Sequence, residues 1–203
     1  MKKALIYDIL YKKEGDIMNV KIGVSNRHVH LTKEDYKILF GNYDIKNEKD
    51  LIQVGEFASS SKVSISTEKS TINNVRVLGP FRNYTQVEIS KTDSFMLGIN
   101  PPIRNSGDIE DSEIVTIIGP VGQVRKKCCI IATRHIHINP SDRKELGLAN
   151  KETVSVKIGD EKSSVLEKVY IKESEFGVFE FHIDTDDANA CLIKNGDIGT
   201  IID

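Results

Sequence analysis

Two segments of this 203-residue chain carry nearly the same string, and that repeat restricts the available folds more than any other feature. Val24 to Asp35 reads VSNRHVHLTKED, and Ile131 to Asp142 reads IATRHIHINPSD. In each, an aliphatic run of strand character leads into Arg-His-aliphatic-His. Thr32 with Asp35, and Asn139 with Asp142, then supply the N-cap and third-position acid that open a short helix. Gly41 and Gly147 read as stop signals, because the left-handed residue after a helix costs least as glycine. A second pair of segments repeats as well: Gln86 to Ile99 reads QVEISKTDSFMLGI, and Glu180 to Ile193 reads EFHIDTDDANACLI. Aligned without gaps, they place Glu88 opposite His182. Each again runs from a strand into a capped helix, with Ser90 or Thr92, and Asp184 or Thr185, as caps.

Between these landmarks lie short β-branched runs at Lys62 to Ser66, Asn74 to Leu78, Ile114 to Ile118, Thr153 to Ile158, Val165 to Lys172 and Ile198 to Ile202. Turn signals at Gly79, Ser106, Gly119, Ile158 and Asn195 separate them. Many short strands with only short helices predict a mainly β fold: two small β-barrel domains related by an internal repeat and capped by short α-helices. Taken alone, the duplication suggests one barrel from each half of the chain. No dinucleotide-binding, P-loop or nucleophile-elbow glycine pattern is present.

All five histidines, His28, His30, His135, His137 and His182, sit inside the repeated segments. Along a strand, residues i and i+2 point to one face, so His28 with His30, and His135 with His137, each present two imidazoles side by side. A lone His-x-His is often no more than the polar face of a strand, and a strand glutamate is often merely solvated. Two copies, with Glu88 and His182 at one further repeated position, argue instead for two metal sites: His28, His30 and Glu88, and His135, His137 and His182. Three-ligand sets of this kind are typical of catalytic zinc with an open position, whereas structural zinc is usually closed by four ligands and rich in cysteine.

Composition excludes more than it assigns. With 28 basic and 30 acidic residues the formal charge is −2, which argues against general nucleic-acid binding while leaving room for a local anion pocket. Hydrophobic residues make up 39 %, a globular value once the 14 glycines are added, and no apolar run approaches the roughly 18 residues of a membrane span. Three cysteines cannot build a disulfide framework, so Cys128, Cys129 and Cys191 read as buried thiols in a reducing, cytoplasmic compartment. Met1 to Lys13 places Leu5, Ile6, Ile9 and Leu10 on one helical face and reads as a short amphipathic helix. Asp8 interrupts the apolar stretch and no small-residue cleavage site follows, which argues against a secretory signal. The helix either docks a partner or packs on its own domain, unless translation begins at Met18.

The strings GVSNRHVHLT, RVLGPFRNYTQVEISKTD, PPIRNSGDI, TRHIHINP and FHIDTDDANA, in this order, closely resemble the phosphate propanoyltransferase family of phosphotransacylases. The similarity runs from about Lys21 to the C-terminus. It implies transfer of a short acyl group, propanoyl or acetyl, between coenzyme A and phosphate, so that acyl-CoA plus phosphate interconvert with acyl phosphate plus CoA. It also implies two zinc ions per chain, held by the two ligand sets above, and a family fold of two interleaved β-barrels. On that pattern residues 1–16 are an extension, 17–26 with 133–203 form one barrel, 27–132 form the other, and the active site lies between them. The resemblance makes Arg82 the catalytic arginine near phosphate and puts Ser25, Arg76, Leu78 and Asn189 near coenzyme A. Gln86, two residues before Glu88 on the same strand face, and Lys49 complete the substrate-binding residues. Family members often reside in a bacterial microcompartment, for instance one for propanediol degradation, and the N-terminal helix resembles an encapsulation peptide that docks a shell. A homodimer is compatible with the pattern; a nucleic-acid or membrane partner is not. Two other readings compete: a dinuclear metallohydrolase of thioesters or phosphoesters, and a non-catalytic metal-bearing microcompartment module.

Overall fold

The computed structural model describes residues 18–202. The N-terminal helix expected over Met1 to Lys13 lies outside them. Strands and helices are numbered in chain order. Among the described residues the chain divides into two units, one comprising 26–132 and the other 18–25 with 133–202.

The unit of residues 26–132 is a closed ring of six strands. β4 (Phe57–Ser66) pairs with β5 (Thr71–Gly79), β5 with β2 (His28–His30), β2 with β6 (Gln86–Glu88), and β6 with β9 (Gln123–Ala132). β8 (Glu113–Ile118) then pairs with both β9 and β4 and closes the barrel. Two short strands flank the ring, β3 (Asn47–Asp50) on β4 and β7 (Ile103–Arg104) on β9. The other unit closes in the order β1 (Met18–Ser25), β13 (Glu180–Asp184), β10 (His135–Ile138), β12 (Ser164–Glu173), β11 (Thr153–Ile158), β14 (Ile198–Ile201).

Strand for strand the two rings share one pattern of directions. β2 with β5 and β6 with β9 run parallel in the first, as β10 with β12 and β13 with β1 do in the second; all other ring pairs are antiparallel. The counterpart of β9 is therefore β1, which precedes β2 in the chain, while β9 itself precedes β10. Each copy of the repeat gives its leading strand to the other barrel. This corrects the half-and-half division that the duplication alone suggests. The cause is long-range register: Val20 and Ile22 of β1 belong to the same core as Ile136 and Phe181, with Ile22 directly opposite Phe181.

Strand alternation decides which residues face the cores. Val77, Val29, Val87 and Cys129 occupy one row across β5, β2, β6 and β9 and are fully buried inside the barrel. Because side chains alternate along a strand, His28 and His30 project from the opposite side of that wall. Ile136, Phe181 and Ile22 form the matching inward row of the second barrel, which turns His135, His137 and His182 outward.

Four short helices follow the ligand strands. α1 (Lys33–Phe40) begins at Thr32, whose hydroxyl accepts from the Asp35 amide at 3.1 Å, and ends at Gly41 with φ of 78°. α2 (Lys91–Leu97) is capped by Ser90 rather than Thr92, because Ser90 and Asp93 satisfy each other's backbone amides reciprocally. α3 (Pro140–Glu145) is capped by Asn139, with proline in its first turn, where no amide hydrogen is needed. α4 (Thr185–Ala190) starts at Asp184 rather than Thr185; one carboxylate oxygen accepts from the Asp186 and Asp187 amides, both at 2.9 Å. Among the described residues no helix is long and apolar enough to cross a membrane. The three cysteines are buried and unbridged.

Candidate metal centres and substrate-binding residues

In the first barrel, register sets the donors side by side. His28 stands opposite Glu88, and His30 opposite Gln86. The one-atom donors of His28, His30 and Glu88 lie within 4.8 Å of one another, and all three residues are buried. The His28 ring is oriented by a 2.8 Å bond between Nδ1 and the Asn26 carbonyl, which leaves Nε2 3.5 Å from the Glu88 carboxylate. Burial works to lower the His28 pKa, but the Glu88 charge and hydrogen bond outweigh it, and the net shift is upward. Burial likewise works to raise Glu88, yet His28, His30 and the Ser106 bond hold its carboxyl well below the usual range. A buried carboxylate that stays ionised beside two imidazoles draws positive charge into the pocket, which a proton on His28 or a cation in its place supplies.

The second barrel repeats the arrangement with an imidazole in place of the carboxylate. His135 pairs with His182 across β10 and β13, and the donors of His135, His137 and His182 again lie within 4.8 Å of one another. His135 Nδ1 bonds the Thr133 carbonyl at 2.8 Å, the counterpart of the His28 bond, and its Nε2 comes within 3.1 Å of His137 Nε2. Both donor sets suit zinc, which takes imidazole nitrogen and carboxylate oxygen and is held by three protein ligands where a fourth position serves chemistry.

The arginine of each Arg-His-x-His motif also has a repeated task, which no sequence pattern assigns. Arg27 Nε bonds Asp93 at 3.0 Å, and Arg134 binds Asp187 through two bonds of 2.7 Å. Asp93 and Asp187 hold the same third position of α2 and α4. Each arginine therefore ties the strand bearing two of the candidate donors to the helix that follows the third. The bidentate bond to Asp187 holds the Arg134 guanidinium above its ordinary pKa.

Arg82 is held from four sides within its own barrel. Its amide donates to the Leu31 carbonyl at 3.0 Å, while its guanidinium contacts Glu56 at 2.9 Å, the Tyr84 hydroxyl at 3.0 Å and Ser106 Oγ at 3.2 Å. Ser106 also donates to Glu88 at 2.9 Å and contacts Gln86 at 3.0 Å, so one hydroxyl bridges Arg82 and a metal-set carboxylate. Gln86 is fully buried; it donates to Glu88 at 2.6 Å and accepts from the Gly107 amide at 2.8 Å. The sequence marks Ser106 only as a turn signal and gives no sign of Glu56. They come from irregular segments that no periodicity places.

The remaining predicted residues fall in two neighbourhoods. Arg76 and Leu78 on β5 stand in register with His28 and His30, which puts them beside the first donor set. Arg76 pairs with Glu48 and donates to the Ser59 carbonyl at 2.6 Å. Lys49 is exposed on β3. Ser25, at the end of β1, pairs with Asp184, and Asn189 is exposed on α4. These two belong to the barrel of the three-histidine set.

Comparison with known proteins matches residues 21–194 to the family model described as phosphate propanoyltransferase. A protein of that name from Thermotoga maritima is 45 % identical over 201 residues, covering 98 % of this chain and 94 % of the relative. One from Priestia megaterium is 47 % identical over 184 residues, covering 90 % and 85 %. Another from Rhodopseudomonas palustris is 44 % identical over 185 residues, covering 90 % and 82 %. Matches of this extent, over nearly the whole chain, make it a member of the phosphate propanoyltransferase family, a family of acyltransferases.

Proposed function

We propose that the chain transfers a short acyl group, propanoyl or acetyl, between coenzyme A and inorganic phosphate, with two zinc ions held by the two three-donor sets. The observation that carries this reading is the duplication of a buried three-donor cluster in a member of an acyltransferase family, with a multiply anchored arginine next to one cluster. Zinc held by His28, His30 and Glu88, and by His135, His137 and His182, would supply Lewis acidity toward a thioester carbonyl and its leaving sulfur.

The protein's own residues supply position. Arg82 offers its guanidinium to phosphate, whose oxygens accept two parallel N–H bonds, and so aligns one oxygen for attack on the thioester carbonyl carbon. The phosphate oxygen adds to the carbonyl carbon, and as the C=O bond re-forms the C–S bond breaks with its electron pair leaving on sulfur. Phosphate is itself the nucleophile, so no serine or cysteine device is needed. Ser106 and Gln86 fix Glu88 through its Oε1. Arg76 and Lys49 supply cations for the phosphate groups of coenzyme A, Leu78 an apolar contact, and Ser25 and Asn189 further polar contacts. Acetyl and propanoyl differ by one methylene, worth about 1–3 kcal/mol of discrimination in an apolar pocket. We place the protein in the cytoplasm and assign any docking to a microcompartment shell to residues 1–13.

The test is to mix purified protein with propanoyl-CoA or acetyl-CoA, with and without phosphate, and follow free thiol together with acyl phosphate. The reading expects both products only when phosphate is present. Thiol release without phosphate would make the protein a hydrolase, and absence of both reactions would leave a binding module.

A further inference from the structure

Each Arg-His-x-His motif begins directly after the chain has passed from one unit into the other. The divisions fall between Ser25 and Asn26 and between Ala132 and Thr133, and the donor strands start at His28 and His135. β2 has three residues and β10 has four, so the first histidine of each stands at a strand end. Strand ends fray unless something besides the ladder holds them.

What orients that histidine is the carbonyl two residues before it, of Asn26 for His28 and of Thr133 for His135, each 2.8 Å from Nδ1. A carbonyl only accepts, so Nδ1 carries the proton in both rings. Each carbonyl shares one planar peptide unit with the amide of the next residue, Arg27 or Arg134, so its direction depends on how that arginine is held. The guanidinium does the holding. Arg27 Nε bonds Asp93 Oδ2, an atom that also takes the Ser90 amide on a side chain only 2 % exposed. Arg134 grips Asp187 with a fork of two bonds. Between the copies the third donor changes from Glu88 to His182, the helix cap from Ser90 to Asp184, and the carbonyl residue from Asn26 to Thr133. The arginine and the aspartate stay the same. With 34 % and 38 % of the arginine side chains exposed, such pairs add little to stability, and stability alone gives no reason to keep both.

We propose that Arg27 and Arg134 are positioning residues for the two metal sites. Clamped to the aspartate at the third position of the helix behind the third donor, each arginine holds the peptide whose carbonyl takes the Nδ1–H of the first histidine. It thereby fixes the tautomer and direction of that ring at the point where the chain enters the barrel. Neither arginine belongs to a donor set; both act through His28 or His135, as partners of ligating histidines do. The inference rests on reading the two clusters as metal sites.

Zinc affinity, read by chelator competition on the full chain one site at a time, tests it. Arg134→Ala is combined with His28→Ala, which leaves the three-histidine site, and Arg27→Ala with His182→Ala, which leaves the other. Each arginine variant should weaken its site by about 10-fold relative to the histidine variant alone, at the lower end of what partners of metal ligands contribute. Arg134→Lys, which keeps the charge but not the fork, should fall in between. Ser90→Ala weakens the cap of α2 while leaving Asp93 on Arg27, and zinc affinity should not change. Long-range proton–nitrogen NMR of metal-free 15N-labelled protein adds a readout without zinc: His135 should be protonated on Nδ1 in wild type and become a mixture of tautomers in Arg134→Ala. Undiminished zinc affinity in either folded arginine variant would overturn the proposal and leave the metal sites standing. An equal loss in Ser90→Ala would overturn it too, because helix stability alone would then explain the effect. No zinc bound by wild type would remove the metal sites and the proposal with them. Should the alanine variants not fold, Arg27→Lys and Arg134→Lys carry the same comparison.

Discussion

Replacing Arg82 by alanine separates its contribution to binding phosphate from its contribution to the fold. The wild-type guanidinium makes three side-chain bonds, to Glu56, Tyr84 and Ser106, with 19 % of the arginine side chain and 32 % of the Glu56 side chain exposed. Glu56 retains enough contact with water to stay solvated when its partner is lost. A partly exposed pair is worth about 1 kcal/mol, and the two bonds from the charged guanidinium to the Tyr84 and Ser106 hydroxyls add about 1.5–3 kcal/mol together. A loss of about 2–4 kcal/mol leaves a domain of ordinary stability folded. For phosphate the loss is larger: two charge-assisted bonds of about 1.5–3 kcal/mol each disappear, or roughly 3–5 kcal/mol after relaxation. At 1.36 kcal/mol per decade, kcat/KM for phosphate should fall by roughly two to four orders of magnitude. Arg82→Lys, which keeps the charge but not the fork, should fall in between. The assay follows acyl phosphate formation with phosphate varied at saturating acyl-CoA, alongside thermal unfolding and metal content of each variant. If Arg82→Ala is folded, carries its metal and shows kcat/KM for phosphate within about threefold of wild type, the assignment of Arg82 is refuted.

Three structural predictions follow from the same geometry. Burial pushes the Cys128 thiol up to about 12, and Cys129 well above its ordinary value, so neither is thiolate at pH 8. Both should resist a thiol reagent in native protein and react in denaturant; rapid native labelling of either would contradict their burial. Ser90→Ala removes one side of the capping box on α2 and should cost about 1 kcal/mol, read as a fall in Tm of a few degrees. Gly119→Ala would place a Cβ 2.4 Å from the backbone oxygen of Leu39, where no side chain can yield, and should destabilise by about 1–3 kcal/mol in a urea titration. An unchanged midpoint would show that this approach is looser than the structure has it.

The two three-donor clusters were legible because the rules that place them are local. Alternation along a three-residue strand puts His28 beside His30 whatever the tertiary structure does, and a gapless repeat carries Glu88 onto His182. Helix starts were legible to within the choice of cap, and reciprocal bonding settled Ser90 over Thr92. Strand exchange was not legible from periodicity, since the pairing of Ile22 with Phe181 joins residues at opposite ends of the chain. β3, with the sequence NEKD and every side chain exposed, carries no apolar alternation to reveal it. Arg82 could be picked out, but its anchors Glu56 and Ser106 could not, because loop geometry brings them in.

Zinc per chain, measured by native mass spectrometry and paired with acyl phosphate formation on the same sample, tests the central claim most directly. Wild type should carry two ions, and His28→Ala and His182→Ala one each. Activity should vanish on chelation and return with zinc. Full activity in metal-free protein, or two ions retained in His182→Ala, would contradict the assignment of these six residues as two metal sites.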